Sequence, residues 1–431
     1  MSLPTPGNPS FPAGESSASA AVRCVHCGLC LPVCPSYRAF GTESRSPRGL
    51  LMLIRSFHES GLPIGNAYKD RIASCLLCKA CGAACPSGLH PDEIVLAGRA
   101  ESAASGLPFA KRFLFRLLAD RPRLEAVLRL GARFQGLFLA SSRPGKGPAP
   151  CTNGLRRPRF PWRPWLLHPA RMLPGLAPVT LYRIAAASRR PSSIPTPVAR
   201  VAYFPGCMTE FIYPGQGLAV IDLLEAHRVE VVLSRDFQCC GTPVLAHGDP
   251  ATASLLAARN QEVMDRLFTS GVEAVVTGCA SCAGTLKGYP ALEGGRVYDA
   301  AEFLVEAIGL RSPRRECSGR VAYHDPCHAL HGQGVSRSAR RLLAAAGFEP
   351  VEPPRPGSCC GGAGSFSLAH PEPYLTLNDT RIDDLASTGA VTAASACPSC
   401  VMHLADGAAR RGLGMAIRHP VELAAEAYRK N

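Results

Sequence analysis

Twenty cysteines stand in a chain of 431 residues, and 18 of them fall into repeated patterns. Cys24, Cys27, Cys30 and Cys34 form a C-x2-C-x2-C-x3-C-P run, and Cys75, Cys78, Cys81 and Cys85 repeat it. Three thiolates at two-residue intervals wrap one iron–sulfur cube, while the fourth, displaced by the following proline, reaches the other cube. The expected ligand sets are therefore crossed. Cys24, Cys27, Cys30 and Cys85 would hold one [4Fe-4S] cluster; Cys75, Cys78, Cys81 and Cys34 would hold the second. Structural zinc fits less well, because it usually shows two separated pairs of ligands. A redox dithiol accounts for one C-x2-C but not for eight cysteines in duplicate. Two such cubes make a short electron wire and break no bonds themselves. His26 and Lys79 lie inside the cluster loops and could tune potential, but a solvent-facing side chain is the expectation for both.

A second duplication fills the C-terminal half. Cys207, the Cys239-Cys240-Gly241 triplet and the Cys279/Cys282 pair recur as Cys327, Cys359-Cys360-Gly361 and Cys397/Cys400, offset by 120, 120 and 118 residues. Five thiolates per unit exceed what one cubane needs. A non-cubane cluster, or a cluster with a spare catalytic thiol, is one reading; a zinc site or a buried redox dithiol is the other. Glycine after each Cys-Cys pair supplies permissive dihedral angles. Gly361-Gly362-Ala363-Gly364 lacks the Lys and Ser/Thr of a phosphate loop and reads as a tight turn around the site. His324 and His328 bracket Cys327 and could donate to cluster sulfur or relay protons, with simple packing as the alternative. Cys151 and Cys317 read as free thiols without a role.

The elements that must position these thiols alternate. In the first unit a strand at 201–204 enters Cys207. A helix at 218–226, a β-branched run at 229–233, a helix at 251–268 and a strand at 274–277 follow, the last leading into Cys279. The second unit repeats this with a helix near 337–346, an extended run at 348–351, a helix near 375–385 and a strand ending at Cys397. Such alternation predicts α/β sheets, with Cys207, Cys279, Cys327 and Cys397 at the C-terminal ends of strands where sites collect. Between the ferredoxin-type runs, the apolar spacing at 48–58 predicts a helix packed on the cluster loops.

The expected fold is α+β overall: an α-helical two-cluster ferredoxin-like domain followed by two α/β CCG units related by duplication. We expect a disordered tail at 1–22, the cluster domain at 23–105, a basic Pro/Arg-rich helical linker at 106–199, and CCG units at 200–316 and 317–431. The net charge of +14 is concentrated in the linker region. Residues 111–200 carry 18 Lys and Arg against Asp120 and Glu125 alone, and both tryptophans, Trp162 and Trp165, lie here. The segment reads as a solvated connector or as a docking arm for an anionic membrane surface or an acidic partner. No nucleic-acid-binding module accompanies the charge, so no nucleic-acid partner is expected. The N-terminus lacks a basic then apolar leader pattern, and no apolar run approaches the ~20 residues needed to span a bilayer. A cytoplasmic protein is expected, at most peripheral on the inner face of the membrane. No dinucleotide fingerprint is present.

The stretches RCVHCGLCLPVCPSYRAFG from Arg23, SPRG from Ser46, CLLCKACGAACPSG from Cys75 and the paired CCG segments resemble the iron–sulfur subunit of glycolate oxidase (glycolate dehydrogenase). More broadly they resemble the iron–sulfur subunits of heterodisulfide reductase and anaerobic glycerol-3-phosphate dehydrogenase. The likeness covers roughly 23–105 and 200–428. It implies an electron-transfer subunit in a hetero-oligomer with FAD-containing subunits that oxidise a 2-hydroxy acid, passing electrons toward a quinone or another membrane acceptor. No residue of this chain is then catalytic, and the chain alone does not oxidise substrate. The heterodisulfide branch implies redox chemistry at the CCG sites instead.

Overall fold

The computed structural model describes residues 17–61, 64–141, 155–159, 168, 171–188, 194, 196–289 and 296–429; Cys151, Trp162 and Trp165 lie outside them. The first described element is the helix Ser17–Val22, whose Ala20 and Ala21 are buried against the helices Pro47–Ser60 and Pro91–Ala104. Ser17 Oγ donates to Glu101 Oε1 at 2.7 Å. This corrects the expected disorder through residue 22. Small side chains let this backbone approach its neighbours closely, an advantage that appears only when neighbours are present. The Pro47–Ser60 helix, expected at 48–58, starts at Ser46, whose hydroxyl accepts from Gly49 N at 3.1 Å, a standard N-cap. Its Leu50, Leu51 and Ile54 bury with Ile72, Ile94 and Val95, so the helical cluster region has a core of its own.

Two four-stranded parallel sheets follow. In the first, Ala199–Tyr203 lies between Val229–Val232 and Ala274–Thr277, with Val297–Asp299 beyond the latter. In the second, Arg320–Tyr323 lies between Glu349–Val351 and Thr392–Ala394, with Ala416–Arg418 at the edge. Each therefore runs second-first-third-fourth, with a topological switch point between its first and third strands. The two fourth strands are absent from the sequence reading because three residues are too few to show alternation.

The units interlock. Pro420–Tyr428 of the second packs on Pro214–Ala226 of the first, while Ala300–Glu302 and Phe303–Ala307 of the first pack on Arg337–Ala345 of the second. One buried cluster accordingly mixes Val201, Leu224 and Val276 with Val321, Leu342 and Ala424. The basic segment is also more than a connector. Phe109–Leu118 and Arg121–Phe138 form a helical hairpin, and its Phe115, Leu118 and Leu124 bury against Phe211, Val244 and Leu256 of the first unit. Antiparallel strands Leu139–Ser141, Leu155–Pro158 and Leu173–Pro174 follow. Among the described residues no helix is long and apolar enough to cross a membrane.

Candidate metal centres

The N-terminal cysteines gather around two cavities. One is lined by Cys34, Cys75, Cys78 and Cys81, with Arg45, Lys79 and Asp92 at its edge. The other is lined by Cys24, Cys27, Cys30 and Cys85, with Cys81 bordering it too. The last cysteine of each run thus faces the other run's cavity, and Cys34 does so from the N-cap of Pro35–Phe40, its Sγ accepting from Tyr37 N at 3.4 Å. His26 is exposed. The Lys79 side chain is 38% exposed while its Nζ lies 3.6 Å from the buried Asp92, and a Cβ at Gly332 would meet its stem at 3.3 Å. Burial pushes Cys34 up to about 12 and holds Cys78 and Cys81 well above an ordinary thiol. A nest of desolvated thiols does not ionise without added positive charge, and the iron of a cluster supplies it; four convergent thiols per cavity fit a [4Fe-4S] group.

In the C-terminal half the turns after the first and third strands of each sheet deliver one thiol each to the start of a helix. Cys207 sits in the first turn of Gly206–Phe211 and Cys279 caps Ala280–Lys287; Cys327 opens Cys327–Gln333 and Cys397 caps Pro398–Arg410. Gly206, at φ 70°, is required by crowding as well as conformation, since a Cβ would lie 2.8 Å from Cys282 Sγ. The thiols then touch in series. Cys239 lies beside Cys207 and Cys240, and Cys282 beside Cys240 and Cys279, near enough to shift one another's ionisation. Cys359 likewise lies beside Cys327 and Cys360, Cys360 lies 3.7 Å from Cys400, and Cys400 lies beside Cys397. Cys279 and Cys397 lie close enough to shift each other's ionisation, which brings the ends of the two series together. Within them Cys240, Cys360 and Cys397 are held well below an ordinary thiol by S–H donors from their neighbours, led by Cys239, Cys359 and Cys279 respectively. Ten neighbouring thiols, all buried but the half-buried Cys207 and Cys327, are more than a dithiol requires.

The walls of the two sites differ. In the first unit Phe204 follows the strand and packs on Phe237, ring centroids 5.1 Å apart. His324 occupies the matching place in the second. Arg381 Nε donates to its Nδ1 at 2.9 Å, so the neutral ring carries its proton on Nε2. A ring nitrogen of His324 lies within 4.8 Å of the Cys360 and Cys400 sulfurs, the single such metal-sized group among the described residues. Burial drives His324 well below an ordinary imidazole, which suits a neutral donor to cluster sulfur. Arg381 is buried and its Nη2 finds no partner in the protein, as befits a donor aimed at an acceptor the polypeptide does not supply.

The cluster loops seat on the second unit. His328 bridges the Leu77 carbonyl at 3.3 Å and Ser281 Oγ at 3.0 Å, and Ser281 Oγ lies 3.6 Å from Cys397 Sγ. Leu76 buries with Cys359 and Phe366, and Cys78 feels the Cys359 and Cys327 charges. Arg99 ties the same loop to the first unit, donating to Cys75 O at 2.5 Å and Ala246 O at 2.6 Å. Cys317 stands apart, its N–H bonded to Ala346 O. Sequence reasoning missed Asn260 and Asn378, whose amides hold Cys239 O and Cys360 O at 3.0 Å each. Their offset of 118 matches the repeat register, so the duplication carried the signal. Arg381 and Ser281 carried none.

Comparison with known proteins agrees with this architecture. The 4Fe-4S dicluster domain family matches residues 20–89, and the cysteine-rich domain family matches residues 201–287 and 321–405. The chain is 26% identical over 420 residues to the glycolate oxidase iron-sulfur subunit of Escherichia coli, covering 94% of each. It is 28% identical over 381 residues to one of the subunits of the fumarate reductase (CoM/CoB) of Methanothermobacter marburgensis, covering 84% of this chain and 74% of the relative. It is 25% identical over 432 residues to one of the subunits of the dihydromethanophenazine:CoB–CoM heterodisulfide reductase of Methanosarcina mazei, covering 94% and 93%.

Proposed function

We propose that this chain, which matches a 4Fe-4S dicluster domain and two cysteine-rich domains and is similar to iron–sulfur subunits of oxidoreductases, is the electron-transfer subunit of a glycolate oxidase complex. On this reading an FAD-containing partner oxidises glycolate or a related 2-hydroxy acid to the 2-oxo acid, and electrons pass through this chain toward a quinone or other membrane acceptor from the cytoplasmic side. The observation that carries it is the unbroken series of sulfur sites. It runs from the solvent-facing Cys27, through the two cavities, to the seat of Cys78 near Cys327 and Cys359, and along the thiol string to Cys207.

Cys24, Cys27, Cys30 and Cys85 would hold one cubane, and Cys75, Cys78, Cys81 and Cys34 the other. Cys207, Cys239, Cys240, Cys279 and Cys282, with their counterparts Cys327, Cys359, Cys360, Cys397 and Cys400, would hold non-cubane clusters. Bound clusters would supply one-electron redox steps. The polypeptide's part is to exclude water, fix spacing and set potential through His324, Arg381 and Ser281. The domains are taken as 23–105, 200–316 and 317–431 around the basic 106–199 segment. A second reading, redox chemistry on a disulfide-type substrate at the CCG sites, draws support from the direct meeting of the two sites at Cys279 and Cys397.

Copurification of the native complex under argon tests the proposal. A bound flavoprotein and dye reduction by 2-hydroxy acids are expected, with about eight irons from the N-terminal pair. Zinc in place of iron would defeat it, and activity on a disulfide without a flavoprotein would favour the second reading.

A further inference from the structure

The basic segment ahead of the CCG units carries one cation that does not face water. Among the described basic residues of 111–200, Arg171 alone is buried, at 2% exposure. Its Nε lies 2.9 Å from Oδ2 of the equally buried Asp406 in the second unit, and its guanidinium lies over the Tyr374 ring at 4.3 Å. Met172 N donates to Asp406 Oδ1 at 2.6 Å. Further along, Leu176 N donates to Gln135 Oε1 of the hairpin at 2.8 Å, and Ala177 N to Phe211 O of the first unit at 2.8 Å. One stretch of chain thus straps the two units together. The desolvation of two buried charges largely offsets their attraction, so net stability is a poor account of why Arg171 and Asp406 are there.

The pair leads to the second Cys-Cys turn. The Tyr374 hydroxyl donates to Asp406 Oδ2 at 2.6 Å, and its oxygen lies 3.3 Å from His403 Nδ1. Burial first, and then the Arg171 charge, pushes His403 down to about 4, so the ring is neutral and carries one N–H. Because the tyrosine hydrogen is given to the carboxylate, that proton sits on Nδ1 and is donated to the tyrosine oxygen. The opposite edge of the ring fills the space beside Gly362, where a Cβ would collide with Cδ2 and Nε2. Gly362 follows the turn in which Gly361 N donates to Cys359 Sγ at 3.4 Å. Asn378 binds the same parts together, its amide donating to Cys360 O at 3.0 Å and to His403 O at 2.9 Å.

The first unit does without this chain of contacts. At the offset of 118 that relates Asn378 to Asn260, the places of His403, Asp406 and Tyr374 are taken by Thr285, Gly288 and Leu256; at the offset of 120 that relates the CCG triplets, Thr242 stands for Gly362. There the Thr242 hydroxyl lies 2.5 Å from Thr285 Oγ1 and 3.1 Å from Cys240 Sγ. We propose that Arg171 is a positioning residue of the second CCG site: through Asp406 and Tyr374 it fixes the His403 ring against Gly362, and so holds the Cys359-Cys360 turn in the geometry that sets that site's reduction potential. This role rests on the reading of the site as a redox centre, and it makes the 106–199 segment part of that centre.

The test is EPR-monitored potentiometry of the full-length, cluster-loaded protein. Tyr374→Phe removes one hydroxyl and leaves the ring under Arg171. It should make the second site about tenfold harder to reduce, a downward shift of ~59 mV for a one-electron couple, and change that site's line shape. The direction follows because a loosened turn withdraws the Gly361 N–H from sulfur, and such donors raise the potential. The first site, which uses Thr242 and Thr285, should keep the parent's potential and signal. Arg171→Met should act like Tyr374→Phe, while Arg171→Lys, which keeps a cation beside Asp406, should retain most of the parent potential. Should Arg171→Met misfold, Tyr374→Phe alone decides. Equal shifts at both sites, or parent potentials in every folded, iron-replete variant, would overturn the proposal. A parent protein without any CCG-site redox signal would instead defeat the redox reading of the site. Positioning is then decided by iodoacetamide labelling of the same full-length protein, read by mass spectrometry. Tyr374→Phe should speed modification of Cys359 and Cys360 several-fold and leave Cys239 and Cys240 unchanged; equal effects on the two pairs, or none, would overturn it.

Discussion

The two CCG units start from the same five-cysteine pattern and the same strand order, yet they are finished differently. The first is walled largely by hydrocarbon, with the Thr242 hydroxyl 3.1 Å from Cys240 Sγ: Phe204 packs edge-on to Phe237, and the hairpin's Phe115 and Leu118 bury with Cys239. The second is closed by polar groups and by the cluster domain. His324 takes a hydrogen bond from Arg381, Asp325 is held by two nitrogens of Arg340 at 2.7 Å each, and Leu76 covers Cys359. Three residues after the shared asparagine stands Arg381 in one unit and Val263 in the other. Cationic and N–H donor groups stabilise the reduced, more negative state of a cluster, and an apolar wall does not. The comparison therefore teaches that duplication copied the cysteines while divergence reset their surroundings, so that on the proposed function the second site would be the better electron acceptor, and it is the one seated against the ferredoxin-type cavities.

The comparison breaks first at the junction. Cys397→Ser should slow electron passage between the units by more than ~100-fold, because it removes a proposed ligand and not merely an outer-shell partner; rapid-mixing kinetics of dithionite-reduced protein would read this. Unchanged rates would mean the two sites work separately. The electrostatic contrast comes next. His324→Phe should lower the potential of the second site by tens of millivolts, ~59 mV for each tenfold change in a one-electron equilibrium, in EPR-monitored potentiometry. Phe204→His should raise the first by less, since Val263 offers no guanidinium to orient the ring. Equal, opposite shifts would show that the histidine alone makes the difference. His328→Ala should loosen the seat of the Leu77 loop and slow transfer into the second unit by ~10-fold, leaving the potentials of both sites within error.

A pH-dependent effect lies under the hairpin, where Arg121 bonds Glu210. Burial pushes Glu210 up to about 7 despite that arginine. Its folded value lies above the unfolded one, so the stability it contributes is full below about 4.5 and is lost as pH rises through about 7. The loss is at most about 3 kcal/mol. Anoxic denaturant melts of Glu210→Gln should be flatter than the parent across this window. An unchanged slope would remove Glu210 from the account.

Much of this molecule was legible as spacing. The two ferredoxin-type runs, the 120-residue duplication and the placement of Cys207, Cys279, Cys327 and Cys397 after strands follow from local rules, because a tight turn fixes which neighbouring thiols can converge and periodicity fixes which segments are strands and helices. The contacts that distinguish the sites are not local. Cys279 meets Cys397 across 118 residues, Arg381 meets His324 across 57, and Ser281 of one unit reaches His328 of the other across 47. The helix at 17–22 and the inward face of the hairpin owe their order to surfaces supplied from elsewhere in the chain. The sequence by itself determined which atoms are available for ligation and in what local groups. Only the tertiary structure decided which groups face one another and what surrounds them, since desolvation, hydrogen bonding and charge act through distance in space and not along the chain.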